Sequence, residues 1–277
     1  MARVLVTGAT GFVGLPVVEH LLEAGHEVTC VIRPGSQERL GGLAVEAVTS
    51  EDLFAEPHEW WAQVCEGVDT IIHVAWDAEP GKYLDSDKNL DCLSGTLTMA
   101  RGAARAGVRR FVGVGTCFEY DLSDGHVSVD TPIAPTTLYA AAKAATCSTL
   151  KVYLAQQGME FLWARLFYLY GPREDSRRLV PYLRSCLEAG QIAELGSGKA
   201  VKDYLDVRDA ARMIVSDALS SRQGASNICS GVGISIRALA EQIADDYDRR
   251  DLLHFGARED NPADPLFVVG FRKENEL

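Results

Sequence analysis

Arg3-Val4-Leu5-Val6-Thr7-Gly8-Ala9-Thr10-Gly11-Phe12-Val13-Gly14 reads as a short buried strand, a tight glycine turn and the first residues of a helix. Val4, Leu5 and Val6 form the uninterrupted apolar run of a strand covered on both faces. Gly8, Gly11 and Gly14 recur at every third position. A strand-to-helix turn needs glycine, both to bend sharply and to let a phosphate approach the main chain with no Cβ in the way. The helix that follows points its free N–H groups and its positive dipole end at such a phosphate. Val17, Val18, Leu21 and Leu22 give that helix one apolar face, and Gly25 ends it. Set between a strand and a closed helix, the turn points to a bound dinucleotide, with Gly8, Thr10, Gly11, Phe12, Val13 and Gly14 as its cradle.

At 277 residues the chain is long enough for one large domain or two small ones. Its 47% hydrophobic and 24% charged residues fit a soluble globular protein. A formal net charge of −12 argues against non-specific binding to nucleic acid. No apolar run is long enough to span a bilayer, and the N-terminus starts in a strand with no secretory pattern, so no membrane association is expected. The seven cysteines are scattered without a Cys-x-x-Cys pair, which points to reduced thiols in a cytoplasm rather than to disulfides or a zinc site. The six histidines show no metal-ligand spacing, so no metal is expected.

Glu27 to Ile32 reads as the second strand. In a nucleotide-binding fold an acid at its end would hold the adenosine ribose hydroxyls. Here the end is Val31-Ile32-Arg33-Pro34-Gly35-Ser36, with no carboxylate and an arginine just beyond. A guanidinium grips a 2′-phosphate that a carboxylate would repel. This favours NADP over NAD, with Arg33 and Ser36 at the cofactor; an arginine that merely stacks on adenine would leave NAD possible. Ala44 to Val48 is the third strand, and Asp52 and Leu53 follow where an acid could accept a hydrogen bond from adenine; an exposed acidic turn fits as well. Trp60 and Trp61 read as packing. Asp69 to Ala75 is the fourth strand and its exit, where Val74 and the small Ala75 let a cofactor pass and His73 reads as a packed strand-end residue. Asp85 to Ala106 is a long helix, and Val108 to Gly115 runs into the fifth strand, which Thr116 ends. Such regular alternation means a parallel sheet with helices on both faces, and ligands outside the carboxyl ends of its strands.

Tyr139-Ala-Ala-Ala-Lys143 opens an alanine-rich helix expected to reach Gln157, and the i, i+4 spacing puts both side chains on one face. An ammonium beside a phenol favours the phenolate and lowers a pKa that starts near ~10. A tyrosine tuned in this way can give or take the proton of an alcohol–carbonyl pair, and the Thr116 hydroxyl could hold the same oxygen.

With these residues together the chain resembles the short-chain dehydrogenase/reductase superfamily, in its extended branch that works on nucleotide sugars. The glycine turn, Gly115-Thr116-Cys117-Phe118-Glu119-Tyr120, Tyr139 with Lys143, Ala164 to Arg173 and Lys202-Asp203-Tyr204 carry the resemblance. It implies that Tyr139 is the acid/base, that Lys143 lowers its pKa and binds the nicotinamide ribose, that Thr116 assists at the substrate oxygen, and that Phe167 lies at the cofactor. It also implies a homodimer built on a four-helix bundle, from the helices Asp85 to Ala106 and Tyr139 to Gln157 of each subunit. In the branch that dehydrates sugars at C4–C6, the two residues after the threonine are acidic; here they are Cys117 and Phe118, so dehydration is set aside. An asparagine and an arginine that contact the sugar-nucleotide phosphates are here Tyr168 and Lys202. The Phe-Tyr-Leu-Tyr-Gly-Pro run looks most like that of reductases of 4-keto-6-deoxy sugars.

After Gly171-Pro172 the alternation stops, and Arg173, Arg177, Arg178 and Arg184 cluster in an otherwise acidic chain. Arg173 and Arg178 are candidate diphosphate contacts, a solvated helix face being the alternative. Gly196 to Lys199 reads as a hairpin turn. Asp206 or Asp209 sits near the start of one helix, Ser235 starts another, and Ser226 to Ser230 reads as a short strand. The expected fold is α/β: a Rossmann-type doubly wound parallel sheet in an NADP-binding domain over residues 1–165, with a small C-terminal α/β substrate lobe over 166–277, interleaved with the first. The expected activity is NADPH-dependent reduction of a nucleoside-diphosphate 4-keto-6-deoxyhexose. A nucleotide-sugar epimerase that retains its cofactor and a non-catalytic NADP-sensing protein are the alternatives.

Overall fold

Apolar runs bounded by glycine set the strands, and amphipathic stretches between them set the helices that cover both faces. The computed structural model describes residues 1–261 and 264–272. The first part runs β1 (Arg3–Thr7), α1 (Gly14–Glu23), β2 (Glu27–Ile32), β3 (Glu46–Thr49), α2 (His58–Val64), β4 (Thr70–His73), α3 (Lys88–Arg105) and β5 (Arg110–Thr116). The middle follows as β6 (His126–Val127), α4 (Leu138–Gln156), β7 (Glu160–Leu166), β8 (Tyr168–Tyr170) and α5 (Leu179–Glu188). The last part is β9 (Ala193–Leu195), β10 (Val201–Asp206), α6 (Val207–Leu219), β11 (Gly224–Ile228), β12 (Gly233–Ser235), α7 (Ile236–Asp245), β13 (Leu253–Phe255) and β14 (Phe267–Gly270).

Seven strands form one parallel sheet in the order β11-β7-β5-β4-β1-β2-β3. The fold is therefore a Rossmann-type doubly wound α/β sheet. The order reverses between β1 and β4, which opens the crevice where ligands of such sheets lie. Val17, Val18 and Leu21 of α1 pack with Ala210, Ala211 and Ile214 of α6 on one face. Trp61 of α2, Met99 and Ala103 of α3, and Leu150 and Leu154 of α4 cover the other. The tryptophan pair is packing, as its sequence context suggests: Trp61 is fully buried, with Trp60 edge-on against it at 4.8 Å.

A smaller sheet, β12-β10-β14-β6 with β8 beside β10, stands past the strand ends, and α5 and α7 share an apolar core through Leu183, Leu187, Leu239 and Ile243. The strand β11 returns from this region to the edge of the large sheet, so the two parts are interleaved. Here the sequence reading needs correction. Gly196 to Lys199 is no hairpin: β9 pairs in parallel with β13, β10 pairs with β8, β12 and β14, and the segment crosses from one sheet to another. Boundaries also move. The third strand is Glu46–Thr49, and the long helix begins at Lys88, because Asp85 to Asp87 form a turn whose Ser86 carbonyl accepts from the Asn89 N–H and side-chain amide. The strand expected at Ser226 to Ser230 is Gly224–Ile228. The two helix starts stand: the Asp206 carboxylate accepts from the Arg208 N–H at 2.8 Å, and the Ser235 hydroxyl from the Ala238 N–H at 3.0 Å. No helix among the described residues is long and apolar enough to cross a membrane.

Candidate active site

The turn after β1 is built from close approaches. Gly8 has a φ of 70°, and a Cβ there would lie 2.7 Å from the Ala75 nitrogen at the exit of β4. A Cβ on Gly14 would lie 2.0 Å from the Gly8 carbonyl oxygen. Two of the three glycines are thus required by packing within the protein itself, in addition to any ligand. Val13 precedes α1 and supplies no side-chain cap, and the first turn carries no acid. Its N–H groups and dipole face a cleft of about 2260 Å³ that runs along the carboxyl ends of the strands.

That cleft collects most of the residues singled out in the sequence. Gly8, Thr10, Gly11, Phe12, Val13 and Gly14 line one end. Arg33, Asp52, Leu53, Val74 and Ala75 flank them from the neighbouring strand exits. Thr116, Cys117, Phe118, Tyr139 and Lys143 line the same cleft, as do Phe167, Tyr168, Arg173 and Arg178. His73 is not part of it. Its ring bridges the Thr7 hydroxyl at 2.7 Å and the Thr96 hydroxyl at 2.9 Å, and burial, aided by Lys143, pushes it down to about 3.

Thr116 is fixed by a reciprocal cap. Its hydroxyl accepts from the Phe118 N–H at 3.3 Å, and its own N–H donates to Glu119 at 2.9 Å. Glu119 is fully buried and also accepts from Trp163 Nε1 at 2.9 Å and Arg165 Nε at 2.7 Å. Glu119 is part of a stretch that carries the resemblance, but its capping role, signalled by Thr-x-x-Glu, is a further one. Tyr139 enters from the first turn of α4, which Thr137 caps by accepting from the Ala140 N–H at 3.2 Å. Burial pushes the Tyr139 phenol well above its ordinary range; Tyr83 and Glu119 add to this, and the hydrogen bond with Thr116 works the other way.

Lys143 departs from expectation. The i, i+4 spacing puts it on the face of Tyr139, but its Nζ is drawn to the Val114 carbonyl oxygen at 2.6 Å and to the face of Trp76, 3.8 Å from the ring centroid. It does not lower the phenol, and burial pushes Lys143 itself down to about 7. Cys117 is buried with its thiol pushed up to about 12 by desolvation, and Phe118 packs edge-on against Tyr168. Neither can supply an acid or a base.

Residues 4–228 match the model of the NAD dependent epimerase/dehydratase family. The chain belongs to this family. It is therefore an enzyme that works with a nicotinamide dinucleotide. It is 24% identical over 242 residues to a dTDP-6-deoxy-L-talose 4-dehydrogenase (NAD(+)) from Aggregatibacter actinomycetemcomitans, covering 87% of this chain and 88% of the relative. It is 29% identical to a UDP-glucose 4-epimerase from Mycolicibacterium smegmatis, over 87% of this chain and 82% of that one. In fold it is similar to the UDP-N-acetylglucosamine 4-epimerase from Methanobrevibacter ruminantium solved with UDP-N-acetylmuramic acid: the TM-score is 0.87 at 20% identity, covering 98% of this chain and 90% of the other.

The glycine cradle of this epimerase/dehydratase family member fits a dinucleotide: a bare helix N-terminus and a backbone with no room for a Cβ lie where a pyrophosphate would rest. Two candidates fall outside the cleft. Ser36 donates its hydroxyl to the Arg33 carbonyl at 2.5 Å and does not line it. Lys202 is 1% exposed and spent on structure, its Nζ bound to Asp264 at 2.9 Å and to the Pro265 carbonyl, so it cannot contact a phosphate. Of the arginine cluster, Arg177 pairs with Asp175 and Arg184 does not line the cleft, whereas Arg178 lies 5.6 Å from the Tyr83 ring and Arg173 donates to the Arg39 carbonyl at 2.9 Å. Among the lining residues that no sequence pattern singles out are Arg39, Trp76, Tyr83 and Glu174, whose carboxyl burial pushes up to about 7.

Proposed function

We propose that the protein is an NADPH-dependent reductase of a nucleoside-diphosphate 4-keto-6-deoxyhexose, with Tyr139 as the proton donor to the C4 oxygen. The observation that carries this reading is the meeting of Thr116 and Tyr139 in one cleft with the glycine cradle, next to a Cys117-Phe118 pair that has no elimination chemistry. A bound nicotinamide supplies the hydride. Tyr139 keeps its proton until negative charge develops on the substrate oxygen, as a phenol with a raised pKa does, and Thr116 orients that oxygen. The relative from Aggregatibacter oxidises at C4 of a 6-deoxyhexose; the reverse of that step is the reduction proposed here.

The preference for NADP over NAD rests on Arg33, joined by Arg39, where a carboxylate would exclude a 2′-phosphate. Residues 166–277 are the proposed substrate lobe; Tyr168, Arg173 and Arg178 line the same cleft as Tyr139, which supports the two arginines as diphosphate contacts. Seven free cysteines support a cytoplasmic setting. Leu90 of α3 and Val152 of α4 are exposed at 54% and 60%, which supports a homodimer through a four-helix bundle; light scattering at micromolar concentration should give the mass of two chains, and one chain would remove that part.

Incubation with NADPH and a nucleoside-diphosphate 4-keto-6-deoxyhexose should consume the cofactor steadily. Tyr139→Phe should slow turnover by about 10²–10⁴-fold, the ordinary contribution of a positioned acid. Isomer formation with no net loss of NADPH would make the protein an epimerase, and turnover indifferent to Tyr139→Phe would overturn the mechanism.

A further inference from the structure

Lys143 is a buried ammonium that touches no carboxylate among the described residues. The groups around it come from every neighbouring element. Val114 of β5 offers its carbonyl oxygen at 2.6 Å, and Trp76, in the loop after β4, offers its ring face at 3.8 Å. Trp163 of β7 stands farther off at 5.9 Å. His73 of β4 is neutral, Cys92 of α3 is a buried thiol, and the Glu119 carboxylate, though hydrogen-bonded to Arg165 and Trp163, favours the charged form of Lys143 without touching it. Tyr139 lies one turn earlier on the same helix. One carbonyl satisfies one of three ammonium donors. An indole face is the best aromatic surface for a desolvated cation.

The indole is itself held. Its Nε1 donates to Asn89 Oδ1 at 2.8 Å, and Asn89, buried on α3, donates from Nδ2 to the carbonyls of Tyr83 at 2.6 Å and Ser86 at 2.8 Å. The Tyr83 ring packs edge-on against Tyr139 at 4.8 Å, and the Trp76 ring meets it at 6.4 Å and 77°. One amide therefore ties down the Trp76 indole on which Lys143 rests and the backbone of Tyr83, the two residues whose rings flank Tyr139.

We infer that Trp76 is a positioning residue whose indole face holds the Lys143 Nζ in place and favours its charged form, with Asn89 as its lock. The participation of Lys143 in turnover rests on the proposed function; the indole–ammonium contact does not. Lys143 already sits near pH 7, so it is charged below that pH and neutral above it. Taking away a group that favours the charged form moves this transition to lower pH.

Trp76→Phe keeps a weaker aromatic face, and Trp76→Leu keeps apolar bulk without one. In the cofactor-free protein, the tryptophan emission that wild type loses on Trp76→Phe should titrate with a midpoint near that of Lys143, and Lys143→Met should abolish the titration. In turnover, the basic limb of the kcat profile should move to lower pH by about one unit in Trp76→Leu, a tenfold change in the protonation equilibrium, and by less in Trp76→Phe, with kcat retained well below the limb. A limb that does not move in Trp76→Leu, or an emission that still titrates in Lys143→Met, would overturn the inference. An emission titration in a protein that turns over no keto sugar would uphold the contact and remove the reductase.

Discussion

Arg165 and Lys143 are both nearly fully buried, and each makes a hydrogen bond to β5 or the turn that follows it. Arg165 meets the Glu119 carboxylate at 2.7 Å and the Tyr120 hydroxyl at 2.9 Å. Burial works against its charge, but Glu119 and Tyr120 outweigh burial and push the guanidinium above its ordinary range. Lys143 touches a carbonyl and an aromatic face instead, with Glu119 acting on it only at a distance, and burial wins. The first cation is locked in one state and holds the end of β5 in place. The second sits where a small change in surroundings changes its charge, which is how groups that take part in proton chemistry are set apart from those that build a scaffold.

The largest effect should come from breaking the locked pair. Glu119→Gln leaves Arg165 buried without its counter-charge and should lower the unfolding free energy by about 3–5 kcal/mol in a denaturant titration. Lys143→Met removes a desolvated cation that has no carboxylate to lose, so it should leave the unfolding free energy unchanged or raise it while stopping turnover. Equal losses of stability in the two variants would erase the distinction between them.

Much of this site is legible in the sequence wherever chemistry is local. The glycine turn, the threonine at a strand end, the tyrosine and lysine four residues apart and the two helix caps are short-range patterns, and each lies where its pattern puts it. Contacts between distant segments are not legible. Nothing in the run from Tyr139 to Lys143 shows that the ammonium will turn to Trp76, 67 positions earlier, and to Val114. Lys202 reads as a phosphate contact because its neighbours match a motif, but Asp264 and Pro265, carried in by a later strand, consume it. Gly196 to Lys199 reads as a hairpin because turn residues announce a bend but not which strand lies beyond it. Glu119 lies between these cases: its cap on Thr116 follows from spacing, its pairing with Arg165 across the sheet does not.

Arg33 extends the comparison to a cation that stays in water. It is exposed at the end of β2, and neither carboxylate nor ring holds it among the contacts of the described residues. Its removal should therefore cost the fold nothing measurable and act on cofactor choice alone. A guanidinium beside a 2′-phosphate forms paired, charge-assisted hydrogen bonds, whereas NADH offers only ribose hydroxyls at the same place. Arg33→Ala should weaken NADPH by about tenfold, roughly 1.4 kcal/mol, and NADH by much less, in direct binding titrations of the two cofactors. Equal weakening of both would mean that Arg33 stacks on adenine, and the case for NADP would pass to Arg39 alone. A loss of stability as well would mean that the exposed cation is part of the scaffold after all, and that burial is the wrong property by which to sort the cations of this site.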